Sequence, residues 1–155
     1  MTKEYQIAEI NIARMKGVSM DDPIMKEFVD NVNAVNEIAE KSNGFVWRLL
    51  DEDKEAANFS PFTDEQVIIN ISVWETIASL ETFMYKTFHS DFLKRRKEWF
   101  YAYGKVATAM WWIPKGDVPT IQEAAEKLEY IQKNGPSEVA FSFRYQFPKP
   151  GEEKN

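Results

Sequence analysis

Cysteine is absent from the 155 residues and histidine occurs once, as His89. The first absence removes disulfides, thiol nucleophiles and thiolate metal sites, and fits a reducing, cytoplasmic setting. With one histidine and no His-Glu pair at ligand spacing, the residues call for no metal. "DEDKEAANFSPF" lacks the glycine and terminal glutamate of a calcium-binding loop. The glycines, Gly17, Gly44, Gly104, Gly116, Gly135 and Gly151, are scattered and form no phosphate cradle. No convincing carboxylate pair for glycoside hydrolysis is present, and no cofactor is expected.

Long apolar runs are missing too. No stretch approaches the roughly 20 apolar residues of a bilayer span, and "MTKEYQIAEINIARM" has no signal-peptide core, so a soluble protein away from the membrane is expected. A formal charge of −6 argues against broad attraction to nucleic acid.

Aromatic residues are plentiful, at 14% of the chain, and serve equally for a core, an interface or a ligand cavity. Residues 5–14, "YQIAEINIAR", alternate with Ala8, Ile10 and Ile12 on one face and Tyr5, Ile7, Glu9 and Asn11 on the other, which predicts a strand with one apolar and one mixed side. "SMDDPIMKEFVDNVNAVNEIAEKSNGF" predicts a helix capped by Asp21 or Asp22, with Pro23 in its first turn and Gly44 after its end. Its apolar stripe is Ile24, Phe28, Val32, Val35 and Ile38. "GFVWRLL", 44–50, predicts a short strand, and the polar 51–66 segment is long enough for a flap.

"VIINISVW", 67–74, carries the strongest strand signal: Val67, Ile69, Ile71 and Val73 share a face opposite Ile68, Asn70, Ser72 and Trp74. A helix follows Trp74, bent near His89 and Ser90. "VATAMWWIP", 106–114, predicts another strand, and "PTIQEAAEKLEYIQKNG" a helix with Thr120 and Glu123 as a capping box and Gly135 at its end. "EVAFSFRYQF" reads as a last strand, leaving one domain over 1–148 and a polar tail over 149–155.

This order predicts an α+β fold: a ferredoxin-like antiparallel sheet with helices on one face. The other face, too apolar for water, is expected to be covered by a second subunit or a ligand, hence a homodimer.

Several residues point to a site. His89 has the intrinsic pKa of a proton-transfer group or, equally, caps a helix break. Lys94, Arg95, Arg96 and Lys97 fit a carboxylate or phosphate, or pair with Glu98, Glu75 or Glu81 on a solvated face. Arg48 beside Trp47 suggests an ion pair with Glu9 or with the flap. Asn11, Asn70, Ser72 and Glu9 supply polar points inside an apolar cavity, or a network that fixes sheet register.

The segments "INIAR", "NGFVWRL", "NISVWETIASLETFMYKTFH", "RRKEWF", "MWWIP", "GDVPTIQEA" and "GPSEVAFSF" resemble a bacterial family of unknown function placed among dimeric α/β barrels. That superfamily includes antibiotic-biosynthesis and haem-degrading monooxygenases. The resemblance covers nearly the whole chain and implies a homodimeric barrel with a cavity between sheet and helices. Asp117 departs from the pattern, standing where many members have a histidine. Carried onto this chain, the haem-degrading pattern puts its tryptophan near Phe83 or Tyr85, its asparagine at Ile10 or Asn11, and its iron-binding histidine near Arg96 or Lys97. The histidine is missing there, which speaks against haem.

The expectation is therefore a protein for a small planar organic ligand, acting as a cofactor-independent monooxygenase, or else a non-catalytic dimer with an aromatic core. Trp47, Trp74, Tyr85 and Trp111 are expected to line the site. Asn11 or Asn70 would orient an oxygen, His89 would move a proton, and Arg48 or Arg96 would hold an anionic group.

Overall fold

A computed structural model describes residues 4–50, 66–87 and 95–151. The predicted flap and His89 lie outside these residues.

The longest strand, β1 (Tyr5–Met15), forms the middle of the sheet. A short 3-10 turn, Pro23–Met25, leads into helix α1 (Lys26–Lys41), and Asp22 accepts the Ile24 N–H at 3.1 Å as its cap. Then come β2 (Phe45–Arg48), β3 (Val67–Trp74) and the short helix α2 (Ile77–Thr82). Thr76 caps α2 by accepting the Ser79 N–H. One π-helical turn, Phe83–Thr87, continues α2. The remaining elements are α3 (Arg96–Trp99), β4 (Phe100–Tyr101), β5 (Thr108–Pro114) and α4 (Ile121–Asn134).

Among the described residues all strand pairs are antiparallel. β1 pairs β3 along one edge and β5, with β4 beyond it, along the other, while β2 pairs the far side of β3. The 5-stranded sheet is open. This corrects the expected fold: the domain is α+β, but its sheet does not close into a barrel.

Helices also cover both faces rather than one. Even positions of β1 (Ala8, Ile10, Ile12) pack with Ile69, Ile71, Val73 and Trp111 against Ala124, Leu128 and Ile131 of α4. Those three lie at helical offsets of four and three, so one stripe of α4 meets the sheet. On the opposite face Ile7, Trp74 and Met110 pack under Ala39 of α1, Leu80 of α2 and Phe141. The apolar side that suggested a second subunit is thus buried by the chain's own α4.

Two local expectations also change. The buried side of α1 is formed by Phe28 and Ala39, with Val32 and Val35 half-buried, whereas Ile24 and Ile38 are exposed. Residues 138–147 do not extend the sheet as a ladder: one bridge joins Phe141 to Met110. Phe141, Phe143 and Phe147 anchor that segment through apolar contact, and the Trp112 indole N–H donates to the Phe147 carbonyl at 2.9 Å.

Candidate functional site

Strand register builds the site row by row on the face beneath α1. In the lowest row Ile7 of β1 faces Trp74 of β3, and Trp74 faces Phe45 of β2. In the next row Glu9 faces Ser72, which faces Arg48, and above it Asn11 faces Asn70. An apolar floor is thereby followed by a band of polar groups.

Arg48 joins that band because of an irregularity in β2. Phe45 pairs Trp74 but Trp47 pairs Val73, so Val46 is an extra residue, as in a β-bulge. The shift turns Arg48 towards Glu9 and Trp47 towards the α4 side, where it packs with the other core.

A partly open cavity of about 130 Å³ lies over these rows, lined also by Phe28, Val32, Val35 and Ala39 of α1 and by Phe83 and Met84. Trp74 lies in its floor, itself almost fully buried. Its ring stacks on Phe83 with centroids 5.2 Å apart and meets Phe45 edge-on at 5.4 Å, both favourable ring arrangements. The Trp74 indole N–H donates to Ser72 Oγ at 3.0 Å, which fixes the ring plane.

Glu9 is the buried acid of the cavity, 2% exposed. Asn11 Nδ2 donates to its Oε1 at 2.7 Å and Ser72 Oγ lies 3.4 Å from Oε2, while Asn70 Nδ2 donates in turn to Asn11 Oδ1 at 3.2 Å. Burial penalises the charged carboxylate more than these hydrogen bonds favour it, and pushes the Glu9 carboxyl up to about 7. A group so placed gives and takes protons near neutrality.

Arg48 does not pair with Glu9. Its Nε approaches Glu40 Oε1 of α1 at 3.5 Å, and Nη1 donates weakly to the Leu49 carbonyl at 3.4 Å. The Nε atom is buried and has no hydrogen-bond partner among the described residues, since the Glu40 approach lacks hydrogen-bond geometry.

Of the residues singled out from sequence, Asn11, Asn70, Arg48 and Trp74 meet at this cavity. Trp111 sits on the opposite face, its indole N–H donating to Glu123 Oε1 at 3.0 Å. Tyr85 is 53% exposed and packs edge-on against Phe143. Arg96 is exposed on α3. Its neighbour Arg95 pairs with Glu27 and with Glu98, the latter at 2.7 Å. Glu9 had a signal in the sequence, a lone carboxylate between Ile7 and Asn11 on one strand face. Its central place follows only from the Glu9–Ser72 register.

Among the described residues no group of His, Cys, Asp and Glu is placed to hold a metal ion, and no helix is long and apolar enough to cross a membrane.

These features define a small α+β domain with an aromatic-walled cavity around a buried carboxyl. The chain belongs to the family described as Domain of unknown function (DUF3291), whose model matches residues 6–155. No curated protein matches it. Among solved structures it is similar to SnoaB, a cofactor-independent oxygenase from Streptomyces nogalater, with 13% identity, a TM-score of 0.42, and coverage of 75% of this chain and 96% of that one.

Proposed function

We propose that the cavity binds a small planar organic molecule of one ring and that Glu9 exchanges a proton with it. The observation that carries this reading is a nearly dry carboxyl, held by Asn11 and Ser72, at the edge of a cavity walled by Trp74, Phe45 and Phe83. Aromatic walls with few convergent polar groups are the usual make-up of a small-molecule site. The volume, about 130 Å³, is close to that of an engineered apolar cavity that takes up benzene.

A base whose pKa lies near the working pH is the most effective for proton transfer. Glu9 as carboxylate would remove the proton of a weakly acidic phenol or enol, and the Asn11 and Asn70 amides would orient the resulting oxyanion. Such an anion is electron-rich enough to react with dioxygen directly, the course of a cofactor-independent oxygenase.

The test uses 4-nitrophenol, whose visible absorption reports the phenolate. Wild-type protein is expected to bind it saturably and to change its phenolate fraction, whereas Glu9→Gln should bind it without that change. Absence of saturable binding by the wild type, or the same spectral change in Glu9→Gln, overturns the proposal. Oxygen consumption with phenolic and enolic compounds reads the oxygenation step separately.

A further inference from the structure

Resting on that reading of the cavity, we infer that its ligand is an anion, a monocyclic aromatic carboxylate whose carboxylate is anchored by Arg48 while its ring occupies the apolar part of the cavity beneath α1. The row Glu9–Ser72–Arg48 places an acid and a guanidinium on strands two apart. With neighbouring strands about 4.8 Å apart, their Cα atoms are separated by roughly 10 Å. Both side chains face the same cavity. A ligand in that cavity can therefore meet both.

The guanidinium's own bonding leaves it available. A buried donor without an acceptor is rare and calls for an explanation. Arg48 Nε is such a donor, and its nearest carboxylate, Glu40, is half exposed and at 3.5 Å makes an ion pair without a hydrogen bond. Nε itself is closed off, but the Arg48 side chain is 24% exposed and lines the cavity, so a ligand carboxylate can meet the accessible part of the guanidinium, whose planar fork favours it over other anchors. Ser72 stands between the two ends and is already engaged by the Trp74 indole. Selectivity for the anion therefore rests on Arg48.

The strand irregularity supports the same conclusion. Regular pairing would direct Trp47 into the cavity and turn Arg48 towards the α4 core. The bulged register instead places a cation in a mostly apolar cavity, a costly arrangement that the half-exposed Glu40 offsets only in part and that a bound anion would offset further.

The experiment compares benzoate with its neutral counterpart benzamide, titrated into the full chain below pH 7 and followed by ligand-observed NMR. Wild-type protein is expected to bind benzoate at least tenfold more tightly. Arg48→Gln should abolish the preference while benzamide binding is retained, with circular dichroism confirming the fold. Glu40→Gln, at an exposed position, should strengthen benzoate binding by about two- to threefold because a competing carboxylate is gone. Equal binding of both probes by the wild type overturns the anion assignment and leaves the ring site standing. Binding of neither overturns both. Weaker benzoate binding in Glu40→Gln, or an undiminished preference in Arg48→Gln, also overturns it.

Discussion

Glu9 should make the stability of the protein fall as pH rises through neutrality, the reverse of what paired surface carboxylates do. Its carboxyl moves from an ordinary 4.5 when unfolded to about 7 when folded. Between those values the native state holds more protons than the unfolded chain, so stability decreases with pH across that window and is flat with respect to Glu9 above it. At about 1.4 kcal/mol per pH unit the whole change amounts to roughly 3 kcal/mol, a large share of the 5–15 kcal/mol typical of a domain. The assay is urea unfolding of wild-type and Glu9→Gln protein at several pH values from about 4 to 8. Glutamine keeps the shape and places an amide where a protonated carboxyl would donate to Ser72. The variant is expected to lose the decline, and so to gain on the wild type by about 3 kcal/mol at pH 8 relative to pH 4. Other groups, including Glu98, which Arg95 holds below the usual carboxylate range, titrate in both proteins and cancel in the difference. Parallel pH profiles for the two proteins would refute the buried-acid argument.

Two further expectations concern the frame around the cavity. Glu123→Ala removes the partner of the buried Trp111 indole N–H and should cost about 1–3 kcal/mol in chemical denaturation, leaving probe binding on the opposite face unchanged. Gly44→Ala should lower the melting temperature markedly, because Gly44 has φ +85° and an added Cβ would lie 2.5 Å from Ser79 Cβ and nearer still to its Oγ. Adding Ser79→Ala should recover only part of the loss, since the backbone conformation still disfavours a side chain.

The central strands are legible because their alternation is physical: β1 and β3 each turn an aliphatic face to α4, and their remaining side chains, Glu9, Asn11, Asn70, Ser72 and Trp74 among them, form a mixed face. The Thr120 cap was equally legible, and its hydroxyl accepts the Glu123 N–H at 3.0 Å. Glu123 completes no reciprocal box, however, and its carboxylate turns to Trp111. Long-range pairing was not legible. Alternation in "EVAFSFRYQF" imitates a strand although its phenylalanines act as anchors. Nor does an amphipathic stripe announce which side of a sheet it covers, so the expectation of helices on one face misses that α4 covers the other. Trp47 and Trp111 were drawn into the candidate site for a related reason: aromatic identity carries no information about facing, which register alone decides.

Val46, the supernumerary residue of β2, acts as a phase switch for everything downstream in that strand. With Val46 in a regular ladder, Trp47 would stand opposite Ser72 and Arg48 opposite Ile71, exchanging cation for indole inside the cavity. Excising Val46 preserves the present pairing, because Phe45, Trp47 and Arg48 would then follow one another opposite Trp74, Val73 and Ser72. A relative one residue shorter at this point would keep the same chemistry, while one that regularised the strand at full length would have a pocket of opposite character built from an unchanged set of amino acids.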